Sequence, residues 1–166
     1  MAAGSIGLPG GEGRAVSARK TGGRDPEPEP TEGSPTLRVV AAVIQAGGQV
    51  LLSRRPRGTH LGGLWEFPGG KVEAGESDAQ ALARELREEI DVEVEVGPLL
   101  HRTRHAYPDR IVDLAFYACT LRAGVPRARE VAEVAWHPLS ALRHLGLPPA
   151  DAPLVDRLLA GQDGRD

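Results

Sequence analysis

The sequence has one cysteine, no apolar run long enough to cross a membrane and almost no net charge. Cys119 is the only cysteine among 166 residues, so the chain cannot form an internal disulfide and Cys119 is expected to be a small buried hydrophobe. No run of 18 apolar residues occurs, and the N-terminus lacks the apolar core of a secretory signal. The net charge of -3 implies no broad basic surface, so tight binding to a nucleic acid polymer is not expected. We therefore expect a cytoplasmic protein with neither a membrane nor a nucleic acid partner.

Residues 1–35 differ in composition from everything that follows them. Thirteen of them are glycine or proline, none is aromatic, and residues 25–30 read as a stiff, charged spacer. We predict a disordered tail at residues 1–35 and one domain at residues 36–162. A tether, or a start codon placed too far upstream, are alternative explanations of the tail.

The remaining sequence alternates between strand-like and helical patterns. Residues 38–44 and 50–53 are apolar and flank Gly47-Gly48, which predicts a β-hairpin. Further strands are predicted at residues 92–96, 111–121 and 131–136, a helix begins near Asp78, and a final amphipathic helix opens at Asp151. Strands with two helices that do not strictly alternate indicate a mixed α+β fold.

Three glutamates stand at the helical spacing i, i+3 and i+4: Glu85, Glu88 and Glu89. A helix places such residues on one face, and the apolar stripe Leu82, Leu86 and Ile90 puts that face at the border of the core. Like charges this close face water, raise their pKa values or bind a cation. Partly buried carboxylates suit Mg²⁺, which binds through one or two of them plus the phosphates of a substrate. The cluster therefore favours phosphate chemistry, and a solvated helix face is the alternative.

The residues before this helix favour a ligand site over a solvated face. Gly69 and Gly70 follow a predicted strand and allow the backbone to approach a ligand closely. Ser77 is a candidate N-cap with Gln80 as its capping-box partner, so the helix should begin near Asp78. Glu76 lies at the junction, where it can reach the site or favour the positive end of the helix dipole.

Residues 70–92 resemble the Nudix box. Gly70, five residues, Glu76, seven residues and then residues 84–89 match that pattern, and Val92 completes it. The one departure is Asp91, where the family has a glycine in left-handed conformation; Asp tolerates that conformation at a small cost in stability. Further likeness to MutT-type members lies at residues 52–55, 64–70, 107–110 and 147–153. The resemblance implies an α/β/α sandwich around a mixed β-sheet, and hydrolysis of a nucleoside triphosphate to the monophosphate and pyrophosphate.

The resemblance also implies a metal and phosphate site. Its catalytic residues are Glu85, Glu88, Glu89, Arg84 and Glu76. Its metal ligands are Glu85, Glu88, Glu89, the carbonyl of Gly69, and Glu130, with Mg²⁺ as the cofactor and Mn²⁺ as a substitute. Glu85 is the candidate base, and Arg84 is expected to orient the acids. Arg55 and Lys71 are expected on the phosphates. Glu130, Arg55 and Lys71 are each ordinary surface residues in the alternative interpretation.

Base recognition is implied at the far end of the chain. Asp151 matches an asparagine that reads 8-oxo-guanine in MutT-type enzymes, and some relatives with Asp there act on cytidine nucleotides. An ionised Asp only accepts hydrogen bonds, and helix capping is its structural alternative. The other expected nucleoside contacts are Phe67, Tyr107, Arg110, Glu66 and His60.

These observations predict an enzyme that binds a small-molecule nucleotide. The first substrate is 8-oxo-dGTP, hydrolysed to 8-oxo-dGMP and pyrophosphate, an activity that sanitises the nucleotide pool, protects DNA replication and so belongs with DNA repair. The second hypothesis is a CTP or dCTP pyrophosphohydrolase that also accepts modified cytidine nucleotides. A non-catalytic Nudix-like binding module is the third, disfavoured because the box carboxylates are all present. The chain is expected to be a monomer or a homodimer.

Overall fold

The computed structural model describes residues 33 and 35–163, so almost all of the tail predicted at residues 1–35 lies outside the described residues. The described chain contains eight strands and two α-helices. The strands are β1 (Thr36–Val43), β2 (Gln45–Ala46), β3 (Gln49–Arg54), β4 (Trp65–Glu66), β5 (Gly69–Lys71), β6 (Glu93–Tyr107), β7 (Arg110–Ala123) and β8 (Glu133–Pro138). The helices are α1 (Asp78–Ile90) and α2 (Ala152–Asp163), and two 3₁₀ segments lie at Leu139–His144 and Pro149–Asp151.

The strands form two sheets. The first has the order β5-β1-β7-β6 and is mixed, because β1 and β7 are parallel while the outer pairs are antiparallel. The second joins β2, β3 and β4, and β8 also pairs with β3. The mixed α+β prediction is confirmed, with the strands divided between two sheets rather than gathered in one.

The helices cover opposite faces of the first sheet. Side chains alternate along β1, so Val40 and Ala42 pack with the α1 residue Leu86, whereas Ala41 packs with Leu154 of α2. All five side chains are at most 4% exposed. Two apolar clusters thus hold the sheet between the helices, which is the predicted α/β/α arrangement. Among the described residues, no helix is long and apolar enough to cross a membrane.

Helix α1 begins and ends as its sequence predicts. The Ser77 side chain accepts a hydrogen bond from the Gln80 backbone N–H, and the Gln80 side chain accepts one from the Ser77 N–H, which completes the capping box. Asp91 ends the helix in the left-handed conformation, at φ 60° and ψ 41°. The box pattern therefore keeps its helix-ending geometry with Asp in place of glycine.

The predicted hairpin is wrong in one respect. Gly47 and Gly48 form the turn with positive φ, but it joins β2 to β3, and β1 pairs instead with β7 and β5. Eight residues of β1 are in register with β7, and this long-range pairing carries β1 into the other sheet. The helix at the C-terminus also starts one residue later than predicted, because Asp151 ends a 3₁₀ turn. Cys119 is buried, as expected.

Candidate active site

A cavity of about 450 Å³ opens on the α2 side of the mixed sheet. Residues of β1 and β7 form its apolar floor, including Val39, Leu114 and Phe116. Eleven of the fifteen predicted site residues line it: Arg55, His60, Glu66, Phe67, Gly69, Lys71, Glu85, Glu89, Tyr107, Arg110 and Asp151. The four that do not are Glu76, Arg84, Glu88 and Glu130.

Two glycines of the edge strand β5 each leave space that another part of the chain occupies. A Cβ on Gly70 would lie 2.3 Å from Cδ of Glu85, so the acid occupies the space a side chain would need. A Cβ on Gly69 would lie 1.9 Å from the carbonyl oxygen of Val40, its neighbour across the β1–β5 pair. Gly70 therefore admits the carboxylate, and Gly69 permits the strand pairing.

Arg84 ties the outer acids together. Its guanidinium donates to both oxygens of Glu76 at 2.8 and 2.9 Å, to Glu85 at 2.9 Å and to Glu88 at 3.3 Å. It also donates to the carbonyl of Lys71 at 3.1 Å. The hydrogen bonds from Arg84, followed by one from the Glu73 backbone, lower the pKa of Glu76 to about 2. Arg84 thus occupies the place expected of an orienting residue, and Glu76 binds Arg84 rather than lining the cavity.

Glu85 and Glu89 are the carboxyls that face the cavity from α1. Burial raises the pKa of Glu85, while its hydrogen bond from Arg84 opposes the rise. Burial also raises the pKa of Glu89 to about 8, with the charges of Glu85 and Glu66 adding to the effect. Among the described residues, Oε2 of Glu89 is buried without a hydrogen-bond partner. This end of the cavity is therefore short of positive charge.

The donor set fits a cation that takes few protein ligands. Within residues 33 and 35–163, no three His, Cys, Asp or Glu side chains gather into a ready-made metal group, and Glu88 is turned outward with 46% of its side chain exposed. Two adjacent carboxyls, one with an unpartnered oxygen, nevertheless match the ligand number Mg²⁺ takes beside substrate phosphates. Glu130 lies close enough that its charge raises the pKa of Glu85. The three-glutamate cluster is thus more open than the helical spacing predicts.

Arg55 lines the cavity and is held by hydrogen bonds rather than standing free for phosphates. Its Nη1 donates to the Glu66 carboxylate at 3.0 and 3.3 Å, and its Nε donates to the His60 carbonyl at 2.7 Å. Its positive charge lowers the pKa of both Glu89 and Asp151. Arg55 therefore lies between the two ends of the cavity, and Lys71, beside the glycine pair, faces the α1 carboxyl end.

Asp151 forms the opposite end. The residue is 4% exposed and lines the cavity, although most Asp residues lie at the surface. Burial raises its pKa well above the ordinary value; the charge of Glu66 adds to this rise and that of Arg55 opposes it. Asp151 directly precedes α2, in the N-cap position, but within the described chain its carboxyl makes no hydrogen bond, so the alternative capping role is not seen.

The other predicted nucleoside contacts gather around Tyr107. Its ring meets His60 edge-on, with the ring centroids 5.0 Å apart. Arg110 lines the same wall and donates to Asp109 at 2.8 and 3.1 Å. Phe67 is only 3% exposed and packs edge-on against Phe116, so it belongs to the floor.

Leu61 and Phe116 are among the cavity residues that sequence reasoning missed. Leu61 lines the wall with φ 55°, a left-handed conformation that is uncommon for a bulky side chain. The glycines at residues 58, 62 and 63 could have indicated an irregular loop around Leu61. Phe116 lies in an apolar run that predicts a strand buried on both faces, so nothing in the run showed which face it takes.

Comparison with known proteins places this site in a family. The family model described as a NUDIX domain matches residues 39–157. The CTP pyrophosphohydrolase of Escherichia coli (strain K12) is 41% identical over 125 residues, which cover 75% of this chain and 92% of that protein. The 8-oxo-dGTP diphosphatase of Haemophilus influenzae is 40% identical over 124 residues, covering 74% of this chain and 91% of that protein.

A solved structure agrees with these relatives. The MutT structure from work on Aliivibrio salmonicida and Vibrio cholerae is 32% identical, covers 76% of this chain and 98% of its own, and superposes with a TM-score of 0.61. The resemblance inferred from residues 70–92 is thereby confirmed. The chain belongs to the Nudix family and is an enzyme of that family, with MutT-type 8-oxo-dGTP diphosphatases among its relatives.

Proposed function

We propose that this enzyme hydrolyses 8-oxo-dGTP to 8-oxo-dGMP and pyrophosphate with Mg²⁺ as cofactor and Mn²⁺ as a substitute. The observation that carries the proposal is the contrast between the two ends of one cavity. Glu85 and Glu89 face it from one end, where Oε2 of Glu89 has no hydrogen-bond partner among the described residues, and the buried Asp151 faces it from the other. A nucleoside triphosphate spans such a pair of sites, with phosphates at the acidic end and the base at Asp151.

At the acidic end, Glu85, Glu89 and the Gly69 carbonyl would hold the cation, with the outlying Glu88 and Glu130 as further ligands. When bound, Mg²⁺ neutralises the charge that develops on the phosphates and lowers the pKa of water. Among the protein groups, Glu85 takes the proton of the attacking water, because Arg84 fixes one of its oxygens at 2.9 Å. Lys71 lies beside this end and contributes a positive charge toward the phosphates.

The reaction replaces one phosphoanhydride bond. The water oxygen forms a bond to the β-phosphorus, and the bond between that phosphorus and the oxygen bridging to the α-phosphate breaks. The nucleoside monophosphate departs with the bridging oxygen, and the remaining product is pyrophosphate. Phosphoryl transfer of this kind relies on positioning and charge neutralisation more than on covalent chemistry by the protein.

At the base end, the charge of Asp151 decides which edge it can read. An ionised carboxylate only accepts hydrogen bonds, whereas the neutral acid offers one O–H donor and one carbonyl acceptor. The 8-oxo-guanine edge presents the O6 acceptor beside an N7–H donor, and guanine presents two acceptors there. Burial without a hydrogen bond favours the neutral form of Asp151. A neutral Asp151 therefore pairs with the oxidised base and rejects the normal one.

A second candidate is hydrolysis of CTP or dCTP, including modified cytidine nucleotides. The relative with 41% identity carries the name CTP pyrophosphohydrolase. Cytosine offers its N4 amino donor beside the N3 acceptor, so a neutral Asp151 also matches that edge. The relatives named CTP pyrophosphohydrolase and 8-oxo-dGTP diphosphatase are enzymes, which disfavours the third hypothesis, a non-catalytic binding module.

The test is a comparison of kcat/KM for 8-oxo-dGTP, dGTP, CTP, dCTP and 5-methyl-dCTP with the full chain and Mg²⁺. We expect 8-oxo-dGTP to exceed dGTP by at least about 100-fold, because a site built to hydrogen-bond a group strongly rejects a substrate without it. In ¹⁸O-labelled water, the label should enter pyrophosphate. A preference for a cytidine nucleotide would establish the second candidate, and label in the monophosphate would contradict attack at the β-phosphorus.

Two variants test whether the loss of a glutamate lowers kcat only at the proposed metal site. Glu89→Gln should lower kcat by at least about 100-fold, a loss of the size seen when one charge-stabilising group is removed. Glu93→Gln removes an exposed glutamate on the first residue of β6 and should leave kcat unchanged. Equal activity of the two variants would contradict the role of Glu89.

The setting of the enzyme completes the proposal. We infer a cytoplasmic enzyme that removes oxidised nucleotides from the pool before they reach DNA. Residues 36–162 are proposed as its catalytic domain, acting as a monomer or homodimer.

A further inference from the structure

A partly buried carboxyl, Glu66, and a buried one, Asp151, lie near one guanidinium in the cavity. Glu66 accepts two hydrogen bonds from Nη1 of Arg55, at 3.0 and 3.3 Å, and the Asp151 carboxyl accepts none from the residues that the structure describes. Nε of Arg55 is engaged by the His60 carbonyl at 2.7 Å, which fixes the plane of the guanidinium. Arg55 is therefore committed to Glu66 and to the loop, although its charge still reaches Asp151.

Within residues 33 and 35–163, Arg55 is the one positive charge found to act on Asp151. Tyr107, from β6, is a neutral phenol whose pKa is raised by its burial and by Asp151. On α2, Asp156 pairs with Arg143 at 3.3 Å, and Arg157 donates to the Leu100 carbonyl. Arg110 also lines the cavity and pairs with Asp109 at 2.8 Å. The groups that bear on the Asp151 charge are therefore Arg55, the residue after β3, Glu66 on β4 and Tyr107.

This arrangement has a direct electrostatic consequence. An ionised carboxylate that is buried without a hydrogen bond or a counter-charge is costly, so such a group keeps its proton. Glu66 opposes ionisation of Asp151 in two ways. Its own negative charge repels a negative charge on Asp151, and it holds the Arg55 guanidinium, which would otherwise stabilise that charge.

We propose that Glu66 is a specificity-determining residue that acts through Arg55: by holding this guanidinium it keeps Asp151 a neutral acid able to read an acceptor beside a donor on the base. The proposal rests on the proposed function for its substrates, but the charge of Asp151 can be measured without them. Glu66 does not need to touch the base in this role. It sets the protonation of the residue that does.

Replacing Glu66 by Gln tests this directly. The variant keeps the volume and one acceptor but removes the negative charge, so Arg55 becomes the counter-ion of Asp151, which then ionises. The ratio of kcat/KM for 8-oxo-dGTP over dGTP should fall at least about tenfold, because an ionised Asp151 cannot donate to O6. The ratio cancels effects on the metal end, since both substrates carry the same triphosphate.

Two further variants make the test specific. In an Asp151→Asn background the amide cannot ionise, so adding Glu66→Gln should leave the ratio unchanged. Glu133→Gln is a matched control, because it removes the negative partner of the Arg54–Glu133 ion pair, 3.5 Å long and outside the cavity. The ratio of kcat/KM for 8-oxo-dGTP over dGTP in this variant should equal that of the wild type. A tenfold fall in either control would overturn the proposal.

Infrared spectroscopy of the full chain at pH 7 measures the charge itself. Glu89, with a pKa of about 8, contributes to the carbonyl band of protonated carboxylic acids in every variant here, so the Asp151 contribution is the part of the wild-type band that Asp151→Asn removes. Glu66→Gln should remove the same part. A wild-type band equal to that of Asp151→Asn, or persistence of the Asp151 part in Glu66→Gln, overturns the inference whatever the substrate proves to be. Conversely, a wild type with the Asp151 part of the band but no preference for 8-oxo-dGTP would refute the proposed substrate and leave the control of Asp151 intact.

Discussion

Replacing Glu89 by Gln would show whether the α1 end of the cavity lacks a counter-charge. The ordinary pKa of this carboxyl is 4.5, and burial followed by the charges of Glu85 and Glu66 raises it to about 8 in the folded protein. The folded chain therefore holds this proton more tightly than the unfolded chain. Its contribution to stability is fully present below pH 4.5 and is lost as the pH rises to about 8.

The size of this effect follows from the two pKa values. A rise from 4.5 to about 8 corresponds to at most about 5 kcal/mol in the free energy of unfolding. Glu85 and Glu66 respond to the same charge, so we expect about 2 kcal/mol for Glu89 alone. Gln cannot ionise, so the metal-free variant should be more stable than the wild type by this amount at alkaline pH. With a urea dependence of about 2 kcal/mol per molar, the unfolding midpoint moves by about 1 M.

The assay is urea unfolding of the full chain in a chelator from pH 4 to pH 9. The two midpoints should agree at pH 4 and separate as the pH rises. Adding Mg²⁺ at alkaline pH should raise the midpoint of the wild type but not that of the variant, because only the wild type offers the ionised ligand. If the urea midpoints of the wild type and Glu89→Gln change in parallel with pH, Glu89 is not a carboxyl that lacks a counter-charge. The control variant Glu93→Gln should have the wild-type midpoint at every pH.

Three further outcomes are expected. Gly70→Ala should keep the fold but displace Glu85, lowering kcat with little change in the melting temperature, whereas Gly69→Ala meets backbone and should unfold the protein; equal melting temperatures would contradict this. Asp91→Gly should change the free energy of unfolding by less than about 1 kcal/mol, since the left-handed strain it relieves is offset by backbone entropy, with an unaltered kcat. Cys119 should react with a thiol reagent only after unfolding, because burial raises its pKa to about 11; rapid labelling of the native chain would contradict its placement.

Local signals explain what the sequence predicts well. The capping box at Ser77 and the left-handed residue Asp91 depend only on neighbours within one helix turn, so both ends of α1 follow from spacing. The apolar stripe likewise places Glu89 at the border of the core. Because residues 70–92 resemble the Nudix box, the fold of that family could be predicted as well.

Features that depend on distant partners could not be predicted from the pattern. The sheet that β1 joins is decided by its pairing with β7, more than 70 residues away. The engagement of Arg55 by Glu66 follows from the β3–β4 pairing, where Ser53 and Glu66 are in register. The charge of Asp151 depends on burial and on this ion pair, and residue type alone predicts an ionised acid.

The charge balance of the cavity links its two ends through pH. Arg84 neutralises the outer acids and Arg55 neutralises Glu66, so in the part of the chain that the structure describes neither Glu89 nor Asp151 has an ion pair of its own. Glu89 must lose its proton to bind Mg²⁺, so the metal end improves as the pH rises. Asp151 must keep its proton to read the oxidised base, so the base end weakens as the pH rises. The kcat/KM for 8-oxo-dGTP should therefore be bell-shaped in pH, whereas Asp151→Asn should rise to a plateau, because its amide does not titrate. A wild-type profile that also reaches a plateau would show that Asp151 does not act as a neutral acid.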